Sequence, residues 1–253
     1  MDNITYDCRW SDSLNDKFIS DFLSVQFSVF GHSLPRPIFN RKYIHNPYGR
    51  SVLIVVYLSG EPCAIDALWR NDIDGKISYQ SADTGVLSIC RGKGIFREMV
   101  RIKLDKIKDI PCIVYGFPNI NSFPGFTKMG WLHVSTYRPV LFFFNFQFLR
   151  IHRGELIDSD YVNWWIKGRD GYYYYKHFNH YYLVAVRSKF RIVTIIGEIS
   201  KETASSLKRY HFPLIIFYKG IRCTLYNSHR TPSRIISLSK IENKIPCWKL
   251  DAI

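Results

Sequence analysis

A chain of 253 residues with 47% hydrophobic side chains is long enough for one large or two small domains and can fill a core, which excludes a disordered polypeptide. The formal net charge of +14 favours an anionic partner, but the 35 Lys and Arg are spread along the chain with no basic tail, so two phosphorylated small molecules suit the surplus as well as nucleic acid does. The 6 cysteines contain no C-x-x-C pair, which speaks against a zinc knuckle or a redox motif, and the most apolar run, 140–149, falls short of the ~20 residues a bilayer span requires.

No secretory leader is read at the start, and reduced thiols are expected, so the expected location is the cytoplasm. Residues 14–30 place Phe18, Phe22, Val25 and Val29 at helical spacing, ended by Gly31 and the rigid Pro35-Arg36-Pro37. A short helix is expected over 39–44, then a turn at Asn46-Pro47-Tyr48-Gly49. Strands over 51–58 and 64–70 form a hairpin through Ser59-Gly60-Glu61-Pro62, and further strands are expected at 77–81 and 84–89. A helix over 95–109 aligns Phe96, Val100, Leu104 and Ile107 on one face and ends before Pro111. A strand over 112–115 and a brief helix up to Lys128-Met129, capped by Gly130, complete the first half, with one more strand beyond.

The second half repeats the plan. Residues 161–167 are apolar and aromatic, and Tyr172-Tyr173-Tyr174-Tyr175 with Trp164 and Trp165 can stack on a sugar or base but is read first as core or interface. Strands over 181–187 and 191–199 turn around Ser188-Lys189. A helix over 200–210 takes Ser200 as N-cap, and strands follow at 214–218 and 221–226. The class is α/β, a mixed sheet with helices on both faces, arranged as two tandem units over 1–139 and 140–253.

Two motifs carry chemistry. The run Ser88-Ile89-Cys90-Arg91-Gly92-Lys93-Gly94-Ile95-Phe96 is a basic glycine loop between a strand and a helix start. Backbone N–H groups and the helix dipole can hold a diphosphate there, and Arg91 and Lys93 add charge. The spacing is neither a Walker loop nor a dinucleotide fingerprint. Downstream lies Tyr115-Gly116-Phe117-Pro118-Asn119-Ile120-Asn121-Ser122, followed by Lys128-Met129-Gly130-Trp131. Together, Arg91-x-x-Gly94 and Asn119-x-x-Ser122 with Lys128-x-Gly130-Trp131 resemble the two acyl-CoA motifs of the GNAT superfamily of N-acyltransferases, over residues 38–136. The variant Gly116-Phe117-Pro118-Asn119 with Asn121-Ser122 is most similar to bacterial members that acylate amino sugars for surface polysaccharides, O-antigen or capsule.

The resemblance implies a GNAT-like fold whose second half is degenerate and forms part of the acceptor pocket. It implies acyl-CoA as co-substrate, acetyl-CoA or 3-hydroxybutanoyl-CoA, with no metal, and a dTDP- or UDP-linked amino-deoxy sugar as acceptor. It is compatible with a homodimer and calls for neither nucleic acid nor membrane insertion. Other amines stay open as acceptors: an aminoglycoside, an amino acid or an aminoacyl-tRNA-fed peptide. So does a basic nucleic-acid-binding protein with a relic of the loop.

Residue by residue, the resemblance implies that the amides of Gly92, Gly94, Ile95 and Phe96 hold the diphosphate, where a Cβ at Gly94 would intrude. A backbone N–H near Val86 to Leu87, on a strand splayed from its neighbour, would stabilise the oxyanion. Asn119 and Ser122 would contact pantetheine or phosphate. Asp83 is the expected base, with His45 and Asp66 as runners-up. Phe126 stands where many members have the tyrosine that protonates the departing thiolate, and it cannot do so.

Overall fold

The computed structural model describes residues 3–73, 75–137, 139–142, 156–187, 192–211, 216–219 and 233–237. The chain divides into two compact units, one of Met1–Val134 with Ile235–Glu242 and one of Ser135–Arg234 with Asn243–Ile253.

The first unit opens with a strand the pattern reading passed over. β1, Ile4–Trp10, pairs antiparallel with β2, Val52–Leu58. Between them, α1 (Asp16–Phe30) starts under an Asn15 side chain that accepts from Phe18 N–H at 2.9 Å and stops at Gly31, φ 72°. α2 (Arg36–Phe39) runs on into a π-turn, Asn40–Ile44, where the expectation was one short helix. β2 and β3 (Glu61–Arg70) are joined by Ser59-Gly60 alone, both at positive φ, and the strand already includes Glu61 and Pro62. The strands expected at 77–81 and 84–89 are one strand, β4 (Ser78–Val86), interrupted by a bulge. α3 (Ile95–Asp105) then crosses over to β5 (Ile113–Gly116), which lies parallel to β4. α4 (Phe123–Lys128) and β6 (Leu132–Tyr137) follow.

Strand alternation decides what each face carries. Leu68 joins Val100 of α3 and Phe126 of α4 in one buried cluster. Trp69, the next residue, lies beneath Lys42 of the π-turn, 5.1 Å from ring centroid to ammonium. α3 and α4 thus cover one face of the sheet, and the α2 segment covers the other.

In the second unit β8 (Tyr172–His177), β9 (His180–Arg187) and β10 (Ile192–Ile199) are antiparallel, and a short α6 (Lys201–Ser205) precedes β11 (Ile216–Lys219), parallel to β10. β7 (Pro139–Phe142) pairs antiparallel with β11. A short α5 (Ser159–Tyr161), prolonged by a π-turn over Val162–Ile166, comes before β8. The tyrosine run is therefore β8, and Arg169 stacks on Trp165 and Tyr172 at 4.7 and 5.2 Å. The helix expected over 200–210 is shorter because the chain re-enters pairing at Arg209, bridged to Tyr174. The turn at Ser188-Lys189 and the strand expected at 221–226 lie outside the described residues.

β12 (Ser233–Ser237) returns to the first sheet, pairing Ile236 with Gly116 and Ser237 with Tyr115. The sheets run β1-β2-β3-β4-β5-β12-β6 and β7-β11-β10-β9-β8. Each contains two antiparallel pairs followed by a parallel pair across a helix, which is the repeat the two halves share.

Candidate active site

The site begins where β4 stops pairing with β5. The parallel ladder ends at Ser81 with Gly116, while β4 continues to Val86. The cause lies on the other side of β4. Ile65 pairs with Gly85 but Ala67 pairs with Ala82, so Asp66 alone opposes Asp83 and Thr84. This bulge turns the strand, and Asp83 takes φ 50°, the left-handed region.

Beyond the bulge the edge of β4 away from β3 has no strand paired to it among the described residues. Leu87 N–H donates to the Cys63 carbonyl at 2.9 Å, so it faces β3. Antiparallel alternation turns Val86, and Thr84 two residues before it, toward the opposite edge. Arg91 Nε donates to the Val86 carbonyl at 3.3 Å from that side. Of the two amides expected to serve the oxyanion, Val86 faces the opening and Leu87 does not.

The loop after β4 winds through a 3-10 turn, Ser88–Cys90, to Gly92 and Gly94, at φ 79° and 76°. No side chain caps α3. Its first helical bond runs from Glu98 N–H to the Gly94 carbonyl at 3.2 Å, so the amides of Ile95, Phe96 and Arg97 have no acceptor within the helix. An ideal Cβ at Gly94 meets nothing within 4 Å, so within the protein it is the positive φ, not crowding, that asks for glycine there. The Ile95 side chain is buried in the core while its amide lies at the helix end.

On the opposite wall, Asn119 Oδ1 accepts from the N–H groups of Asn121 and Ser122, both at 3.0 Å, and from Ser122 Oγ at 3.2 Å. The Asn-x-x-Ser motif therefore builds its own turn and aims it at the gap. Phe96 leans across from α3. A Cβ at Gly125 would come within 2.6 Å of its ring, so glycine there gives the aromatic room. Phe96 and Phe126 meet edge to face at 5.1 Å, and Phe126 packs on Trp131 at 4.8 Å. Phe126 is 3% exposed, a core residue.

These walls enclose a cleft of about 650 Å³, lined by Thr84, Gly85, Val86, Arg91 and Phe96 on one side and Asn119, Asn121, Ser122 and Gly125 on the other. Val29 and Phe30 at the end of α1 close it. The sequence places Val29 on the apolar stripe of the first helix but gives neither residue a part in a site. The signal was Gly85, where a Cβ would stand 3.0 Å from Val29, so the missing side chain is what lets α1 approach.

The expected bases separate sharply. Asp83 Oδ2 accepts from Lys42 Nζ at 2.9 Å and from the Tyr43 hydroxyl, and its side chain keeps 19% exposure beside the cleft residue Thr84. Burial, with Asp83 adding to it, pushes the Tyr43 hydroxyl well above the ordinary tyrosine range, so Tyr43 stays a donor. Lys42 and Tyr43 were missed by the sequence reading, whose attention in that segment went to His45. His45 is exposed at the end of the π-turn and does not line the cleft. Asp66 is fully buried, paired with Lys103 at 2.5 Å, and does not line the cleft. Among the described residues no cluster of three metal-ligating side chains occurs, and no helix is long and apolar enough to cross a membrane.

No protein-family model matches the sequence, and no curated protein matches it. Solved structures do. A GCN5-related N-acetyltransferase from Kribbella flavida superposes with a TM-score of 0.56 at 12% identity, covering 92% of this chain and 71% of that one. A conserved protein of unknown function from Enterococcus faecalis, a probable N-acyltransferase, also gives 0.56 at 10% identity, covering 93% of this chain and 72% of that one. With the parted strands and the glycine loop, these likenesses establish that the chain has the mixed α/β fold of the GCN5-related N-acetyltransferases.

Proposed function

We propose that the chain is an acyl-CoA-dependent N-acyltransferase. The observation that carries this reading is the parting of β4 from β5 beyond Ser81 and Gly116, which leaves a free backbone edge leading to an uncapped helix start. A thioester carrier has the matching shape. Its diphosphate meets the amides of Ile95 and Phe96 with Arg91 nearby, and its amide-rich arm pairs with the edge at Val86 as a further strand would.

The reaction then needs few protein groups. A neutral amine attacks the thioester carbonyl, the tetrahedral oxyanion is held by a backbone N–H on the Thr84–Val86 edge, and collapse expels the thiolate of CoA. Asp83 takes the amine's proton through its Oδ1, because Oδ2 is already held by Lys42 and Tyr43. An amine of pKa about 8 gives up its proton readily. No tyrosine protonates the thiolate from position 126, and a thiol of pKa about 8.5 is a tolerable leaving group without it. The acceptor we propose is a nucleotide-linked amino sugar, with an acetyl or 3-hydroxybutanoyl group transferred. The sequence resemblance at 116–131 and the charge of +14 support this choice.

A thiol-release assay tests the reading. The protein is mixed with acetyl-CoA or 3-hydroxybutanoyl-CoA and a panel of amines. Free thiol is expected only with amino-sugar nucleotides. Release with other amines keeps the enzyme and replaces the acceptor. Absence of CoA binding, with salt-sensitive retention on DNA or RNA, overturns the proposal.

A further inference from the structure

Lys103 and Asp66 are both 0% exposed, and neither touches the cleft. Burying two charges is costly, and an apolar pair of similar volume is often no less stable, so stability alone does not account for this one. Its partners do. Asp66 Oδ1 accepts from Thr84 Oγ1 at 2.7 Å and from Ala67 N–H at 2.9 Å. Lys103 Nζ donates to Ser81 Oγ at 2.9 Å and lies 3.4 Å from the Ala67 carbonyl. Ser81 is the last residue of β4 paired with β5, and Thr84 is the first residue past Asp83. Each end of the bulge is thus tied by its hydroxyl to one member of the pair.

The ties oppose a specific alternative. A strand edge with unmade backbone hydrogen bonds gains by pairing, and β4 could extend its ladder along β5 if the bulge slipped. Such a slip would close the gap and rotate Asp83 away from Lys42 and Tyr43. We infer that the buried Asp66–Lys103 pair is a positioning device that clamps the β4 bulge between the hydroxyls of Ser81 and Thr84, and so fixes the Thr84–Val86 edge on which the thioester lies. Asp66, Lys103 and the Thr84 hydroxyl act through that edge and touch no substrate. The inference rests on the acyl-transfer reading for its catalytic half; its structural half is tested separately.

Thr84→Val keeps the shape of the side chain and removes the hydroxyl, and Thr84→Ser restores it. Expected for Thr84→Val is a fall in kcat of roughly tenfold or more, because small misplacements of reacting groups are costly. CoA affinity should stay within about twofold, since the diphosphate end is untouched. Hydrogen exchange at Leu87, bonded to Cys63, should quicken while amides of β2 keep their wild-type rates. Thr84→Ser should return both readouts to wild type. Ser81→Ala, at the other tie, should give the same pattern. Unaltered kcat and exchange in Thr84→Val overturn the clamp alone. Equal loss of kcat, CoA affinity and melting temperature without rescue by serine also overturns it, since that is the mark of a general packing defect. A wild-type protein that releases no thiol from any acyl-CoA overturns the acyl-transfer reading and the catalytic half, and Leu87 exchange still decides the clamp.

Discussion

The two units place a helix after the third strand of the same ladder, and they treat its first turn in opposite ways. In the second unit Ser200 Oγ accepts from Thr203 N–H at 3.1 Å, so the chain satisfies its own helix start. In the first, Gly94 occupies the capping position and offers no side chain. Both third strands carry a register shift, at Asp83-Thr84 in β4 and at Ile196 in β10. Among the described residues, however, every buried charged side chain (Lys42, Asp66 and Lys103) belongs to the first unit. On the acyl-transfer proposal, the difference teaches which half would carry the site: the one whose first helical turn is left uncapped and which accepts the cost of buried charge beside it.

The contrast breaks most severely at Lys103. Lys103→Met strands Asp66 in the core and should lower the unfolding free energy by about 3–5 kcal/mol, read from the denaturant midpoint. The pH dependence has a definite sign. Burial already raises the Asp66 pKa, and Lys103 is the main influence pulling it down, so the substitution raises it further. A carboxyl whose folded pKa lies above its unfolded one stabilises below the unfolded pKa and loses that contribution as pH rises. The deficit of Lys103→Met should therefore shrink as pH is lowered from about 7 to about 4. A deficit that grows in acid would mean that Asp66 is not the stranded group.

A matched pair of glycine substitutions sharpens the contrast. Gly94 and Gly168 have φ of 76° and 78°, and an added Cβ meets nothing within 4 Å at either. Gly94→Val and Gly168→Val should each cost roughly 1–2 kcal/mol of strain by calorimetry. Only Gly94→Val should weaken CoA binding, by about tenfold or more in titration calorimetry, because the proposed diphosphate site lies at the Gly94 turn and not at Gly168. The smallest effect is expected at Ser200→Ala, about 1 kcal/mol of stability for a lost cap with CoA affinity unchanged.

Much of this site was legible in one dimension because its parts are local. The glycine loop, the Asn119–Ser122 turn and the helix expected over 95–109, which ends at Asp105, are built by neighbours in sequence, and Gly, Pro and Asn announce such turns. What the pattern missed needed pairing partners. Ile4, Tyr6, Cys8 and Trp10 alternate as a strand, yet seven residues beside a longer helical stripe gave only a weak period. Ala82-Asp83 read as a break between two strands, since the bulge at Asp83-Thr84 has the same sequence look as a turn. Asp66 looked available because burial by Lys103, from a helix much later in the chain, leaves no trace in the residues around it. Lys42 and Tyr43 were hidden by the π-turn, which rotates them inward and leaves His45 outside.

One strand carries a consequence for biosynthesis. β12 lies between β5 and β6 although it follows every described strand of the second unit's sheet in the chain. A nascent polypeptide emerging from the ribosome thus holds β5 with a bare flank until residues 233–237 appear. Such late, distant closure is slow and leaves an edge open to wrong partners, so translation speed and chaperone access should matter more for this protein than its modest size suggests.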